Sequence, residues 1–358
     1  MVTIKEIAKA AGVSPATVSR VLNYDPSLSL SAAKRQAVIE TAEALNYATP
    51  RNRNRAQAGL PPLTARLAVQ PRLAIVHFLD PSEELIDPYF IGVRLGIENR
   101  CAEFKMDLVK VFRSQTMAEA LLLQGMAGVI AIGRHSREEI DWLAQHCRHL
   151  VFADFVPRRN DLDCVSCDLG LATRQILDGL KQAGYRRIAF IGGQDQKSAE
   201  GETFGEPRAS AYIDWQRNEG RFDERLLALG THTGDGQNLR LEVGYEQARR
   251  VLSSSERPDA VLAANDNMAI GAYRAMQEAG LSIPKDIAVV SYNDIPVAQF
   301  LNPPLSTMRI LSEAIGETAV DLLVERINGR DYPKHVTIPS TMIWRQSCRQ
   351  PGCADKNI

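Results

Sequence analysis

The sequence predicts two folds in one chain: a small all-α head and, behind a linker, an α/β body of two lobes built on two doubly wound parallel sheets. Three observations predict it. Residues 4–22 form two short amphipathic segments around the corner Gly12-Val13-Ser14-Pro15. Between Thr49 and Arg72 the pattern collapses into TPRNRNRAQAGLPPLTARLAVQPR. Beyond it, seven apolar segments of strand length alternate with helical stretches. A chain of 358 residues exceeds what one small core organises, so several domains are expected.

In the head, Thr3 with Glu6 three residues on makes a capping box, and Ile4, Ile7, Ala8 and Ala11 share one face of a first helix. Gly12 ends that helix and Val13 packs into the corner. Ser14 is placed to cap a second helix, with Pro15 at its first position, where a missing N–H does no harm. This helix runs to about Leu22, with Val18, Val21 and Leu22 on its inner side and Thr17, Ser19 and Arg20 on the other. Ser31 caps a third through SAAKRQAVIETAEALNY, where Val38, Ala42 and Leu45 recur at helical spacing. In the linker, Pro50, Pro61, Pro62 and Pro71 confine any helix to Arg51 through Leu60.

In the body the strand segments are LAIVHFL, MDLVKVF, AGVIAIG, HLVFADF, RRIAFIGG, PDAVLAAND and DIAVVSYND. Strands apolar throughout and separated by helices imply parallel sheets covered on both faces. Seven units exceed one small sheet, so two lobes are expected, with a ligand crevice at the carboxyl ends of the strands. Polar residues end those strands: Asp154, Asn265 with Asp266, and Asn293 with Asp294. Asp266 has a second reading as the cap of the following helix, which leaves Asn265 as the stronger ligand, and Asp294 before Ile-Pro has a second reading as a turn residue.

Charge separates the parts. Residues 1–66 carry nine cations against four anions, a net of +5, and the remainder carries −6. A basic head on an acidic body points to a polyanion partner for the head alone. The helix, corner and helix of residues 4–22 have the dimensions of a helix-turn-helix. With the second helix in a major groove, Pro15 and Ala16 bring the backbone near base edges and Arg20 reaches guanine N7 and O6. Thr17 and Ser19 then bond phosphates.

Other chemistries lack their motifs. No run of apolar residues spans a bilayer and no secretory signal opens the chain, so a cytoplasmic protein is expected. Cys164 and Cys167 form the only C-x-x-C among six cysteines, inside a strand-like run and without a second ligand pair, and are read as structural. Gly192-Gly193 is not a dinucleotide fingerprint, and the six histidines show no metal or triad spacing. Neither an enzyme, a metal nor a cofactor is expected.

The stretch TIKEIAKAAGVSPATVSRVLN resembles the N-terminal signature of the LacI/GalR family of bacterial transcriptional regulators. LKQAGYRRIAFIGG, AANDNMAIGAYRAMQEAGLSIPKDIAVVSYNDIP and NPPLSTMRI resemble family landmarks in the same order. Within the family, FADF, SYNDIPVAQF and PPLSTMRILSE are most similar to a β-galactoside-responsive branch, the repressor type of the evolved β-galactosidase operon. The resemblance implies a helix-turn-helix domain at 1–48, a hinge at 49–72 and a periplasmic-binding-protein-like effector body. It divides the body into a first lobe (73–166 and 308–338), a second (167–307 and 339–348) and a tail (349–358). It implies a sequence-specific repressor released from operator DNA by a small sugar, with a purine or another sugar as the alternative effector. A sugar-binding protein without a DNA role is the rival class. The tail has no heptads, which favours a homodimer.

For DNA, the resemblance adds Thr3, Ser14 and Asn23 to Pro15, Ala16, Thr17, Ser19 and Arg20. In the hinge, where relatives wedge a leucine into the minor groove, Leu60 is the nearest candidate, but Pro61 follows it directly and the spacing is longer. Arg51, Arg53 and Arg55 either track minor-groove phosphates or belong to a solvated tether. For the effector, the resemblance places Arg208 over the sugar hydroxyls, puts Asp87, Tyr89 and Phe90 of DPYF at the mouth of the first lobe, and adds Arg113. Trp215 is read as packing. Asn293 stands where lactose-type repressors have an aspartate and Ser312 where they have a phenylalanine, which makes a roomier floor.

Overall fold

The computed structural model describes residues 3–22, 30–31, 34, 37–38, 41–42, 71–112, 123, 125–193, 206–230, 239–254 and 256–352. They fall into two compact units, Met1–Gln70 and Pro71–Ile358. Asn23, Arg51, Arg53, Arg55, Leu60 and Arg113 lie outside the described residues, as does nearly all of the hinge.

In the first unit α1 spans Ile4–Ala10 and α2 Pro15–Leu22. The expected capping box is present: the Thr3 backbone N–H donates to Glu6 at 2.7 Å and the Glu6 N–H to Thr3 Oγ1 at 3.4 Å. Gly12 takes φ +65°, the left-handed conformation that turns the chain without a Cβ penalty. Ser14 caps α2 through the Thr17 N–H at 3.0 Å. Ile7, Ala8, Val18, Val21, Val38 and Ala42 form the core of this unit, and Ile4, Ala11 and Val13 pack against it. Residues 34, 37–38 and 41–42 are helical, and the Lys34 N–H donates to Ser31 Oγ at 3.4 Å, in line with the third helix.

The second unit holds two sheets. Strands β1 (Arg72–His77), β2 (Asp107–Phe112), β3 (Gly128–Ile132), β4 (Leu150–Ala153), β5 (Asp163–Ser166) and β11 (His335–Thr337) run in the order β11-β5-β4-β3-β1-β2, all parallel. The other sheet is β12-β10-β9-β8-β6-β7, from β6 (Ile188–Gly193), β7 (Leu227–Gly230), β8 (Ala260–Ala263), β9 (Ala288–Asn293), β10 (Ser306–Arg309) and β12 (Thr341–Ile343). Among the described residues only the β10–β12 pair is antiparallel. All seven expected strands are there, and β3, β4, β6 and β8 are buried from end to end, as their unbroken apolar runs require.

Chain order assigns the lobes and corrects one boundary. The chain leaves the first sheet after β5, returns after β10 and crosses again between β11 and β12. Ser306 through Arg309 pair residue for residue with β9, so the return follows Arg309 and does not fall at 307/308.

Close helix contacts brace both lobes. In the first, α4 (Pro88–Glu103) crosses α10 (Ser312–Ile327), and a Cβ on Gly96 would lie 2.1 Å from the Glu313 carbonyl oxygen. In the second, α8 (Leu241–Leu252) crosses α9 (Asp266–Glu278), and a Cβ on Gly271 would lie 2.0 Å from the Leu241 carbonyl oxygen. The obstacle is backbone, which yields only if the helices separate. Gly271→Ala is therefore expected to destabilise the protein by about 1–3 kcal/mol, read as a lowered urea midpoint; an unchanged midpoint refutes the tight crossing. Among the described residues no helix is long and apolar enough to cross a membrane.

Candidate DNA-binding and effector sites

In the head, Pro15, Ala16 and Arg20 are exposed on α2, while Thr17 and Ser19 are half-buried. Val18 and Val21 fix which side of α2 faces inward. The Thr17 hydroxyl already pairs with Ser14 Oγ at 2.8 Å, so a phosphate contact from it has to share that hydrogen bond. Thr3 caps α1 and is exposed.

In the body, polar groups of both lobes converge where the strands end. From the first lobe, Asp87 caps α4 through the Tyr89 N–H at 3.2 Å, and the Tyr89 hydroxyl donates to Asp154 Oδ1 at 2.7 Å. Asp154 directly follows β4 with φ +60°, a left-handed turn that aspartate tolerates better than most residues. From the second lobe, Arg208 lies in the first turn of α7 (Pro207–Asn218). It is paired with Glu206 at 2.7 Å, bonded to the Ala264 carbonyl and set over the Tyr292 ring at 5.7 Å. The Tyr292 hydroxyl is held by Thr173 at 2.7 Å.

Electrostatics tie the two halves together. Burial pushes the Asp154 carboxyl up to about 6, against the Tyr89 hydrogen bond and the Arg208 charge, which pull it down. The Tyr89 phenol is raised well above its ordinary value by burial and then by Asp154. Arg134, just after β3, is lowered by burial while Glu206 and Asp154 support its charge. A buried constellation of carboxylate, phenol and guanidinium offers fixed donors and acceptors, which is what a ring of hydroxyls needs. Direct bonds also bridge the lobes: Arg240 pairs with Glu83 at 2.7 Å, and the Asn267 amide donates to the Ile86 carbonyl at 3.1 Å.

The remaining sequence candidates divide. Phe90 packs on Phe78 with centroids 4.8 Å apart and on Tyr89 at 5.1 Å, inside the core. Asn293 ends β9 with φ +106°, half-buried. Ser312 opens α10, and its hydroxyl lies against Gly92 of α4. Asn265, and not Asp266, caps α9: its Oδ1 accepts the Met268 N–H at 2.9 Å and its amide donates to the Leu239 carbonyl at 3.0 Å.

Asp266 turns inward, accepting from the Ser291 hydroxyl, the Thr307 hydroxyl at 2.8 Å and the Ile295 N–H at 2.7 Å, and so fastens β9 to β10. Asp294 is a turn residue gripped by Arg309 and Arg345, each at 2.7 Å. Trp215 packs, its indole N–H donating to Asp178 at 2.8 Å. The Cys164 and Cys167 thiols are buried in different core clusters and both pushed up by burial to about 11, so they do not converge.

Arg134, Glu206, Tyr292 and Thr173 were not singled out by the sequence. Arg134 ends AGVIAIGR and was open to the strand-end rule that found Asp154. The other three owe their roles to tertiary contacts.

A helix-turn-helix head joined to a two-lobed binding body defines a ligand-responsive regulator of transcription. Family models agree: residues 3–50 match the bacterial regulatory proteins of the lacI family, and residues 177–348 match a periplasmic binding protein-like domain. The chain is 36% identical to the HTH-type transcriptional repressor MelR of Bacillus subtilis (strain 168), over 100% of both chains. It is 71% identical over 113 residues to a lactose operon repressor of Rhizobium radiobacter, which covers 32% of this chain and 100% of that one. The lac repressor dimer bound to operator and the anti-inducer ONPF superposes with a TM-score of 0.66 at 22% identity, covering 97% of this chain and 98% of that one. The chain belongs to the LacI family of bacterial regulatory proteins; it is a DNA-binding transcriptional repressor and not an enzyme.

Proposed function

We propose that the protein is a homodimeric repressor released from its operator by a small β-galactoside held between the lobes. The observation that carries the effector reading is the Tyr89–Asp154 hydrogen bond facing Arg208 of the other lobe, a polar set able to sense whether the lobes are together. The identity with a lactose operon repressor supports a galactoside over other sugars. Asp87, Tyr89, Asp154, Arg208 and Asn293 are the proposed effector contacts, with Ser312 at the periphery and Arg113 a further candidate from the family resemblance. Asn265 contributes through what its cap leaves over: one amide N–H and one lone pair.

Two heads of a symmetric dimer sit in successive major grooves of a pseudo-palindrome. Arg20 reads a base, Pro15 and Ala16 lie against base edges, and Thr3, Ser14, Thr17, Ser19 and Asn23 bond the backbone. Arg51, Arg53, Arg55 and Leu60 extend the contact toward the minor groove. A sugar shifts operator occupancy only by its differential affinity for the two body conformations.

Gel shifts on the promoter fragment, with lactose, lactulose, galactose and a purine as additions, test the reading. Retardation should require the N-terminal sixty residues and be relieved by the galactosides alone; operator affinity unchanged across the panel overturns it. In the same assay Arg20→Ala is expected to lose about 1–3 kcal/mol of discrimination between operator and random duplex. Equal loss on both duplexes would make Arg20 a phosphate contact.

A further inference from the structure

We propose a second ligand site, for a small phosphate monoester, at the end of the second lobe opposite the crevice. Arg186 and Arg187 immediately precede β6, whereas the crevice lies at the carboxyl ends of the strands. With Gln216, Arg221 and Leu226 they line a cavity of about 370 Å³. That volume is within the roughly 300–1,000 Å³ of small-molecule sites.

Two of the lining side chains each carry a buried polar atom with no hydrogen-bond partner, Arg187 Nε and Gln216 Oε1. Their orientation is fixed by neighbours. The backbone N–H groups of Arg186 and Arg187 donate to Asp259 at 2.7 and 3.0 Å, pinning the start of the strand. The Arg187 guanidinium is held by the Glu256 carboxylate at 2.9 Å and the Glu256 carbonyl at 2.7 Å, with Asp223 at 3.6 Å, which leaves Nε as the unsatisfied donor. Gln216, 2% exposed, donates its amide to the Ile188 carbonyl at 3.1 Å, beside the Tyr212 hydroxyl at 2.7 Å on the same oxygen. Flipping the amide would set oxygen against oxygen, so the Gln216 atom without a partner is an acceptor.

The charge balance favours an anion. The nearby carboxylates are occupied: Asp223 by Arg225 at 2.8 Å, Glu256 by Arg187, Asp259 by the backbone and Glu219 by Lys181 at 2.6 Å. Among the described residues no carboxylate is bonded to the guanidinium of Arg186 or Arg221, and both side chains are exposed at the cavity. Arg186 and Arg221, whose charges no bonded carboxylate offsets, ask for an oxyanion, and the fixed Gln216 oxygen asks for an O–H in the same guest. Sulfate carries no proton near neutrality, whereas hydrogen phosphate, or a phosphate monoester with a neighbouring hydroxyl, meets both demands.

Isothermal titration of the full chain at constant ionic strength, with sodium phosphate, glucose 6-phosphate, sodium sulfate and glucose, tests this site. Glucose 6-phosphate should bind saturably and more tightly than phosphate, sulfate about tenfold more weakly than phosphate, and glucose not at this site. Arg186→Ala and Arg221→Ala, both surface changes, should each weaken phosphate about tenfold, the loss of one charge-assisted hydrogen bond. Gln216→Leu, checked for an intact unfolding transition, should remove the preference for phosphate over sulfate while sulfate binding persists. Arg208→Lys in the crevice should leave all of this unchanged. The site is refuted if wild-type protein takes up no phosphate or sugar phosphate at millimolar concentration, if both arginine variants bind as wild type does, or if only the crevice variant loses binding.

Discussion

Arg208→Ala should destabilise the protein by about 3–5 kcal/mol and abolish its response to sugar. Arg208 is 11% exposed and Glu206 6%, so truncation removes the direct ion pair of a buried carboxylate and leaves it the cap to the Ala209 N–H at 2.9 Å and the charge of Arg134. The same cut deprives the Ala264 carbonyl of its donor and Asp154 of a stabilising cation. Removing one partner of a buried pair is far more harmful than never having built the pair, because the survivor stays desolvated. Arg208→Lys is the control: it keeps a charge near Glu206 and loses the planar fork, so it should fall between wild type and alanine. Urea unfolding reads the stability term, and galactoside-dependent release from the operator reads the functional one. A wild-type midpoint in the alanine variant would mean that Glu206 and Asp154 find other partners and that the crevice is not organised around this guanidinium.

The fold was readable where the physics is local. A capping box, a glycine corner and a proline at a first helical turn act within a few residues, and the head follows from them. The seven main strands announce themselves by their apolar runs, unbroken in β3, β4, β6 and β8, where both faces are covered, and interrupted by Lys110 in the edge strand β2 and by Ser291 in β9. The remaining strands are short: β5 (Asp163–Ser166) and β10 (Ser306–Arg309) lie inside their sheets, and the others lie at sheet edges. Strand β7 (Leu227–Gly230) is short and only partly buried, and β11 and β12 are three-residue edge strands fixed by register with distant neighbours.

The site was half readable for a related reason. The strand-end rule locates Asp154, Asn265 and Asn293 without any knowledge of the ligand. It does not say which of two adjacent polar residues turns inward. Asn265 takes the capping role expected of Asp266, and Asp266 turns inward as a strand fastener, because Ser291, Thr307 and the Ile295 N–H wait beneath it, from strands β9 and β10 and the turn after β9. The importance of Glu206 is likewise invisible until Arg208 is folded onto it. Arg208 itself was found by resemblance, since an arginine in the first turn of a helix carries no signal of its own.

Asp154 and Asp266 give the body a distinctive pH dependence. Both carboxyls are pushed up to about 6, chiefly by burial, while the Ser291, Ile295 and Thr307 bonds of Asp266 oppose the rise. An unfolded aspartate titrates near 3.9, so between about pH 4 and pH 6 the folded chain binds more protons than the unfolded one. The contribution of each group to stability is therefore full below about pH 4 and declines as pH rises through 6, by roughly 2–3 kcal/mol per group. Carboxyls held low at the surface, such as Asp161 and Asp223, work in the opposite sense, so the whole-protein curve mixes both.

The difference between wild type and Asp154→Asn, or Asp266→Asn, isolates one group. Asparagine fits at 266 because its oxygen can keep the Ile295 N–H while the two hydroxyls rotate to accept from its amide. Urea unfolding from pH 4.5 to 7.5 should show each variant gaining stability relative to wild type as pH rises, levelling off above about 6.5. A difference independent of pH would show that these carboxylates are ionised throughout and that their hydrogen bonds outweigh their burial. In operator release the same titration has a functional face. Protonation gives Asp154 an O–H and removes the charge facing Arg208, so galactoside sensitivity should fall between pH 7 and pH 5.5, and Asp154→Asn should hold the low-pH behaviour at every pH.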